Sequence, residues 1–194
     1  MGLVKLKKRH IRLIISLIIL ALGGVGVLTT APVKEQVTQV ASQQNPGLYQ
    51  VDHAADGDTI VVKNGDKKET VRLIGVDTPE KNDRRKPVQC FAKAASEFTK
   101  SRVEGREVRL EADTQSDNRD RYGRMLRYVY LPDGTLLNKA IISEGYGFAM
   151  TGFLHTKMEE FKTAGQDARE HNKGLWNACT ISTTTGYPQT NAAN

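Results

Sequence analysis

The chain has 194 residues, 39% of them hydrophobic, with a formal charge of +6 and two cysteines. That length and apolar share suit one domain of ordinary size and exclude a chain too polar to bury a core. The charge alone does not mark a nucleic-acid binder. Five positive residues (Lys5, Lys7, Lys8, Arg9 and Arg12) crowd the N-terminus, whereas residues 47–179 hold 22 Lys/Arg against 21 Asp/Glu, so the basic balance reports topology first.

In chain order, residues 1–33 join that basic cluster to an uncharged, mostly apolar run at 13–28, the pattern that export machinery reads. As a helix the run would span about 24 Å, short of a roughly 30 Å hydrocarbon core, with Ile11 and residues 29–33 extending it. A cleaved signal peptide and a retained single-span membrane anchor both fit. Thr29-Thr30-Ala31 followed by Pro32 is a poor cleavage site, which favours the anchor. No cysteine follows the run, which argues against a lipoprotein. The chain is therefore expected outside the cytoplasm, membrane-anchored or secreted. Residues 34–46 are polar and Gln-rich and read as a linker.

The domain expected at 47–179 opens with strands at 48–54, 59–63 and 69–76, the last two joined by a hairpin at Asn64-Gly65. Phe91, Ala94, Ala95 and Phe98 recur at helical spacing and predict a helix over 89–103 ending at Gly105. Strands follow at 107–112 and 124–131, separated by a polar loop, then a short helix at 138–144. Met158, Phe161, Gly165 and Ala168 mark one face of a last helix, with Gly174 as its stop and Trp176 as a core aromatic. Five strands and about three helices fit an α+β fold built on an OB-type barrel, though element order alone does not fix it. Residues 180–194, rich in Thr, Asn and Gln, read as a disordered tail.

Cys90 and Cys179 both follow the apolar run, and outside the cytosol such a pair tends to oxidise. A bridge would close a loop of about 90 residues and remove roughly 4–5 kcal/mol of unfolded-state entropy. Two unpaired thiols remain the alternative, because sequence supplies no Cα separation.

Four stretches carry chemistry: Asp56-Gly57-Asp58-Thr59, Arg72 through Glu80, Asp120-Arg121-Tyr122-Gly123-Arg124, and Gly174-Leu175-Trp176. Singly, each reads as a turn, a strand residue or a helix cap. Together they hold what phosphodiester hydrolysis requires. Asp58 and Asp77 offer hard oxygen ligands for calcium. Glu80 can orient or deprotonate water, and Arg72 and Arg124 can grip a phosphoryl group bidentately. Straight pairing of the hairpin would set Asp58 opposite about Leu73 and leave Asp77 roughly 13 Å further along, a gap that coiling or a bulge must close.

In this order and spacing the four stretches resemble the thermonuclease (staphylococcal nuclease-like) family across about residues 48–176. Asp-Gly-Asp-Thr followed by Arg-Leu-x-Gly-Val-Asp-Thr-Pro-Glu is a highly specific pair, and Tyr-Gly-Arg strengthens it. The resemblance implies an OB-fold enzyme using calcium to cleave DNA and RNA and leave 3′-phosphates. By match to the motifs, Asp58, Asp77 and the Thr78 carbonyl correspond to the calcium ligands, with Asp56 behind them. Arg72, Glu80 and Arg124 correspond to the catalytic set, and Arg121 and Tyr122 to contacts with a terminal phosphate. All three catalytic positions are expected to face a cleft.

The chain departs from the family pattern in places. Thr151 and Phe153 stand where the type member has two tyrosines near the nucleotide, which shifts base stacking towards Phe153. Ala92 and Ala94 replace residues the family often has as Gly and Glu, and both cysteines are additional. An inactive OB module that binds nucleic acid or protein is the main alternative, since this fold hosts such domains. A His-metal nuclease is disfavoured, because His10, His53, His155 and His171 show no ligand spacing. A monomer acting on DNA, RNA or both is expected.

Overall fold

The computed structural model describes residues 47–81, 87–184 and 186–193, all within one compact unit, Pro46–Asn194. The N-terminal segment and the linker lie outside the described residues.

β1 (Leu48–Asp56), β2 (Thr59–Asn64) and β3 (Lys67–Leu73) form an antiparallel meander, and β5 (Glu107–Glu111) and β6 (Met125–Tyr130) complete a closed barrel in the order β1-β2-β3-β6-β5. β3 and β6 run parallel; every other barrel pair is antiparallel. β2 is rich in β-branched residues that pack well on a pleated surface, and β3 adds Thr70 and Val71. Their alternation sends Ile60, Val62, Val71 and Leu73 into the core. The register of β1 against β2 shifts twice, after Val51 and after Ala54. Such irregularities coil the strand, so that its first residues pair with β5 and the rest with β2.

α1 (Ala92–Val103) packs on β1, while α2 (Leu137–Ser143) packs on β6 and on α3 (Met158–Glu170). The one-turn α4 (Leu175–Ala178) makes four helices among the described residues, where about three were expected. The helix predicted over 89–103 begins only at Ala92. Phe91 is left-handed (φ 69°), and Gln89 instead makes a β-bridge to Ala192. Gly174 starts α4 instead of stopping α3, which ends through a left-handed Asn172 (φ 52°). Leu175 is fully buried, whereas Trp176 is only half-buried, edge-on to Phe148 at 5.3 Å.

Two small sheets were not foreseen. β4 (Val76–Asp77) pairs with β7 (Phe148–Ala149), and β8 (Ile181–Ser182) pairs with β9 (Gln189–Thr190). The second corrects the expected disordered tail. Ile181–Ser182 and Gln189–Thr190 pair as a hairpin docked on the segment before α1, with Cys90 N–H donating to the Asn191 carbonyl (2.7 Å) and Ala193 N–H to that of Val88 (2.8 Å). Cys179 is bonded to Cys90, with Cα atoms 5.9 Å apart. Polar composition allows a segment to be disordered, but here a covalent tie and strand pairing supply what its few apolar side chains cannot.

Candidate active site

The gap between Asp58 and Asp77 closes at Gly75. Leu73 N–H donates to the Asp58 carbonyl (2.9 Å), as straight pairing requires. The chain then turns at Gly75 (φ 73°), and Met150 N–H donates to the Gly75 carbonyl (2.9 Å) as β4 joins β7. Buried Asn138 on α2 stitches this turn to β6: its Oδ1 accepts from Val129 N–H (2.9 Å), and its Nδ2 donates to the Ile74 carbonyl (2.9 Å). Thr78 is thereby folded back on Asp58, whose Oδ2 accepts from Thr78 N–H and Oγ1 at 3.1 Å each.

Arg72 sits between the two acids. Its Nη2 lies 3.1 Å from Asp58 Oδ2 and 3.2 Å from Asp77 Oδ1. Nη1 donates to the Leu73 carbonyl at 2.9 Å and to that of Val76 at 2.6 Å. The guanidinium is 13% exposed and the Asp58 side chain 9%, so this is a largely buried ion pair and not a solvent-facing strand residue. Asp56 ends β1 with its Oδ1 accepting from Gly57 N–H (2.8 Å). Burial raises its carboxyl above the usual range, partly offset by that amide.

The donors at this point are two carboxylates and the adjacent Thr78 main chain, all hard oxygens that suit calcium better than a thiophilic metal. Among the described residues no three His, Cys, Asp or Glu side chains converge on one point. Glu80 follows two residues beyond Thr78, with an exposed side chain and its peptide held by Gln89.

On its other side Arg72 lines a cavity of about 500 Å³ that also contains Arg121, Tyr122, Arg124, Phe153 and His155. Arg124, just before β6, is aimed by Asp120: its Nε donates to Oδ2 at 2.6 Å and its main-chain N–H to Oδ1 at 3.0 Å. Burial opposes ionisation of Asp120, but the contacts from Arg124 outweigh it and hold the carboxyl below its usual range. Arg121 donates to the Tyr122 hydroxyl (2.7 Å) and lies 4.8 Å from its ring centroid. Tyr122 and Phe153 are 68% and 70% exposed, and such aromatic faces suit base stacking. Of Thr151 and Phe153, Phe153 lines the cavity.

The structure thus brings together Asp58, Arg72, Asp77 and Thr78, and separately Arg72, Arg121, Tyr122 and Arg124, with Arg72 common to both groups. Sequence reasoning assigned no role to Asp120, although an Asp opening an Arg-Tyr-Gly turn was a usable signal, its Oδ1 accepting from Tyr122 N–H two residues on (2.9 Å). It also missed the polar knot beneath the cavity. There Tyr128, pushed up to about 12 mainly by burial, donates to Asp113 (2.8 Å) and meets His155 Nδ1 (3.1 Å). Burial keeps His155 more readily neutral than a free histidine, and it packs over Gly75 and Phe161. His53 and His171 are exposed beside Asp52 and Asp167, and His10 lies outside the described residues.

Residues 70–178 match the family model described as staphylococcal nuclease homologue. The chain is 39% identical to the thermonuclease of Staphylococcus hyicus over 136 residues, covering 70% of this chain and 79% of that protein. It is 43% identical to the thermonuclease of Staphylococcus intermedius over 114 residues, 59% of this chain and 64% of that one. It is also 36% identical to endonuclease YncB of Bacillus subtilis over 141 residues, covering 71% and 65% respectively. The last two alignments span slightly less than two thirds of those relatives.

Proposed function

The chain belongs to the staphylococcal nuclease homologues, and we propose that it is a calcium-dependent, extracytoplasmic nuclease hydrolysing phosphodiester bonds of DNA, RNA or both and leaving 3′-phosphates. The observation that carries this reading is the position of Arg72, between the Asp58/Asp77 pair on one side and the Arg124 cavity on the other. A cation site and an anion-binding cleft then share one guanidinium, as phosphoryl chemistry demands.

Asp58, Asp77 and the Thr78 carbonyl would hold calcium, which when bound supplies a Lewis acid for the phosphate and lowers the pKa of a nearby water. Arg124 presents its planar fork to the phosphoryl oxygens, where negative charge grows in the transition state, and Arg72 would join it there once a cation replaces its contacts with Asp58 and Asp77. Asp120 fixes the direction of the Arg124 fork in advance. Glu80 orients the attacking water and accepts its proton, and as the new P–O bond forms the bond from phosphorus to the 5′-oxygen breaks, the departing oxygen taking a proton from solvent. Tyr122 and Phe153 offer stacking faces to bases, which would let the cleft accept either nucleic acid. The basic cluster and apolar run before residue 33 support export, with the domain acting as a monomer, anchored or released. Among the described residues no helix is long and apolar enough to cross a membrane.

With purified protein and DNA, cleavage is expected to need calcium at about 10⁻⁴–10⁻³ M, the range of weak extracellular sites, and to be poorly supported by magnesium. Full cleavage in excess chelator would overturn the calcium assignment. DNA binding without cleavage at any calcium level would favour the inactive OB module.

A further inference from the structure

The segment 88–90 is held from two sides. On one side, Gln89 grips the peptide of Glu80: Glu80 N–H donates to Gln89 Oε1 (2.7 Å), and Gln89 N–H donates to the Glu80 carbonyl (3.0 Å). On the other, the C-terminal hairpin lies alongside. Cys90 N–H donates to the Asn191 carbonyl (2.7 Å), the Thr190 hydroxyl to the Cys90 carbonyl (2.9 Å) and Ala193 N–H to the Val88 carbonyl (2.8 Å). The hairpin is itself pinned at both ends. The Cys90–Cys179 bond ties down its start, and Tyr187 near its tip packs so closely on Gly152 that a Cβ there would lie 2.6 Å from the tyrosine hydroxyl oxygen.

We propose that the C-terminal hairpin and the disulfide form a brace that fixes Gln89, and that Gln89 is a positioning residue for Glu80. The proposal rests on the role of Glu80 given above. The hairpin contacts fall on Val88 and Cys90, the two covalent neighbours of Gln89. Glu80 carries an exposed side chain, and the peptide that bears it is held on both its N–H and its carbonyl by Gln89. A water-orienting carboxylate displaced by about 1 Å can lose up to about a hundredfold in rate. Thr190 is buried against this segment (6% exposed), a degree of packing that a loose tail does not reach. Neither cysteine lines the cavity, yet Cys90 is the covalent neighbour of Gln89, which links the disulfide to catalysis as well as to stability.

The test compares four variants of the full chain, assayed for kcat, KM for DNA, calcium midpoint and thermal stability: Gln89→Ala, Gln89→Glu, deletion of residues 181–194, and Cys90→Ser with Cys179→Ser. Gln89→Ala and the tail deletion are expected to lower kcat about tenfold or more, with KM and the calcium midpoint nearly unchanged. Gln89→Glu retains the acceptor oxygen and is expected to stay near the parent rate. In a Glu80→Gln background, Gln89→Ala should cost little more, because both changes act through one group. An undiminished kcat in Gln89→Ala, or a loss fully additive with that of Glu80→Gln, overturns the brace. If the deletion or the serine pair fails to fold, the two Gln89 substitutions decide. Should Glu80→Gln itself cleave at the parent rate, the functional reading fails. A crippled Glu80→Gln beside a fully active Gln89→Ala sinks the brace alone.

Discussion

Arg72 satisfies four acceptors with two terminal nitrogens: Asp58, Asp77 and the carbonyls of Leu73 and Val76. A lysine keeps the charge but lacks the fork, so it cannot reproduce this span. Arg72→Lys, Arg124→Lys and Glu80→Gln are each expected to lower kcat at least about a hundredfold, measured under saturating calcium and DNA. Near-parent rates in all three would show the assignment to be wrong. Their effects on folding should differ. Glu80 is exposed and Arg124 is 31% exposed, so those two variants should melt close to the parent. Arg72 faces the cleft but is also half of a buried pair, and Arg72→Lys should lower the melting temperature, because it weakens the partner of a desolvated Asp58. Motif identity made these residues legible. It did not reveal that one of them is also structural, because burial follows from what packs over a strand and not from alternation along it.

Strand runs, the hairpin and the helical spacings can be read because periodicity survives in the chain. Small elements such as β4, β7 and β8 have two residues each, too few for any period, and exist only because tertiary partners meet them. Gly75 shows the consequence. Its positive φ ends β3 and starts β4, delivering Asp77 and Thr78 to Asp58. A Cβ at Gly75 would lie 2.6 Å from His155 Cε1 and 2.8 Å from Phe161 Cδ2. Gly75→Ala therefore combines a left-handed backbone penalty with overpacking, about 2–4 kcal/mol together. Denaturant unfolding should show that loss, and calcium-dependent cleavage should fall with it because the acid pair is misplaced. Wild-type stability in this variant would mean that the turn is not what joins the two acids.

At the scale of the molecule, the tail and the loop under the cavity were the least legible parts, since both are ordered by contacts distant in sequence. Asp113 is the clearest case. Its carboxylate accepts from Tyr128 on β6 (2.8 Å), from the Gln115 amide (2.7 Å) and from Thr156 N–H (2.8 Å), with a further contact to the Thr156 hydroxyl. It thereby joins the loop after β5, the barrel wall and the approach to α3. Burial acts to raise its pKa, but the donors of Thr156, Gln115 and Tyr128 prevail and hold it well below the usual carboxylate range. The unfolded chain then takes up a proton at this site before the folded one does. Its contribution to stability is full above the ordinary Asp pKa of about 3.9 and is lost as pH falls towards the lower folded value. Asp120 is depressed in the same direction, whereas Asp56, raised by burial, opposes it. The melting temperature is accordingly expected to decline below about pH 4. Asp113→Asn should melt lower at neutral pH, through loss of the charged acceptor, and should show a shallower acid decline than the parent. Parallel curves for the two proteins from pH 7 to pH 2 would show that this carboxylate does not couple the three segments.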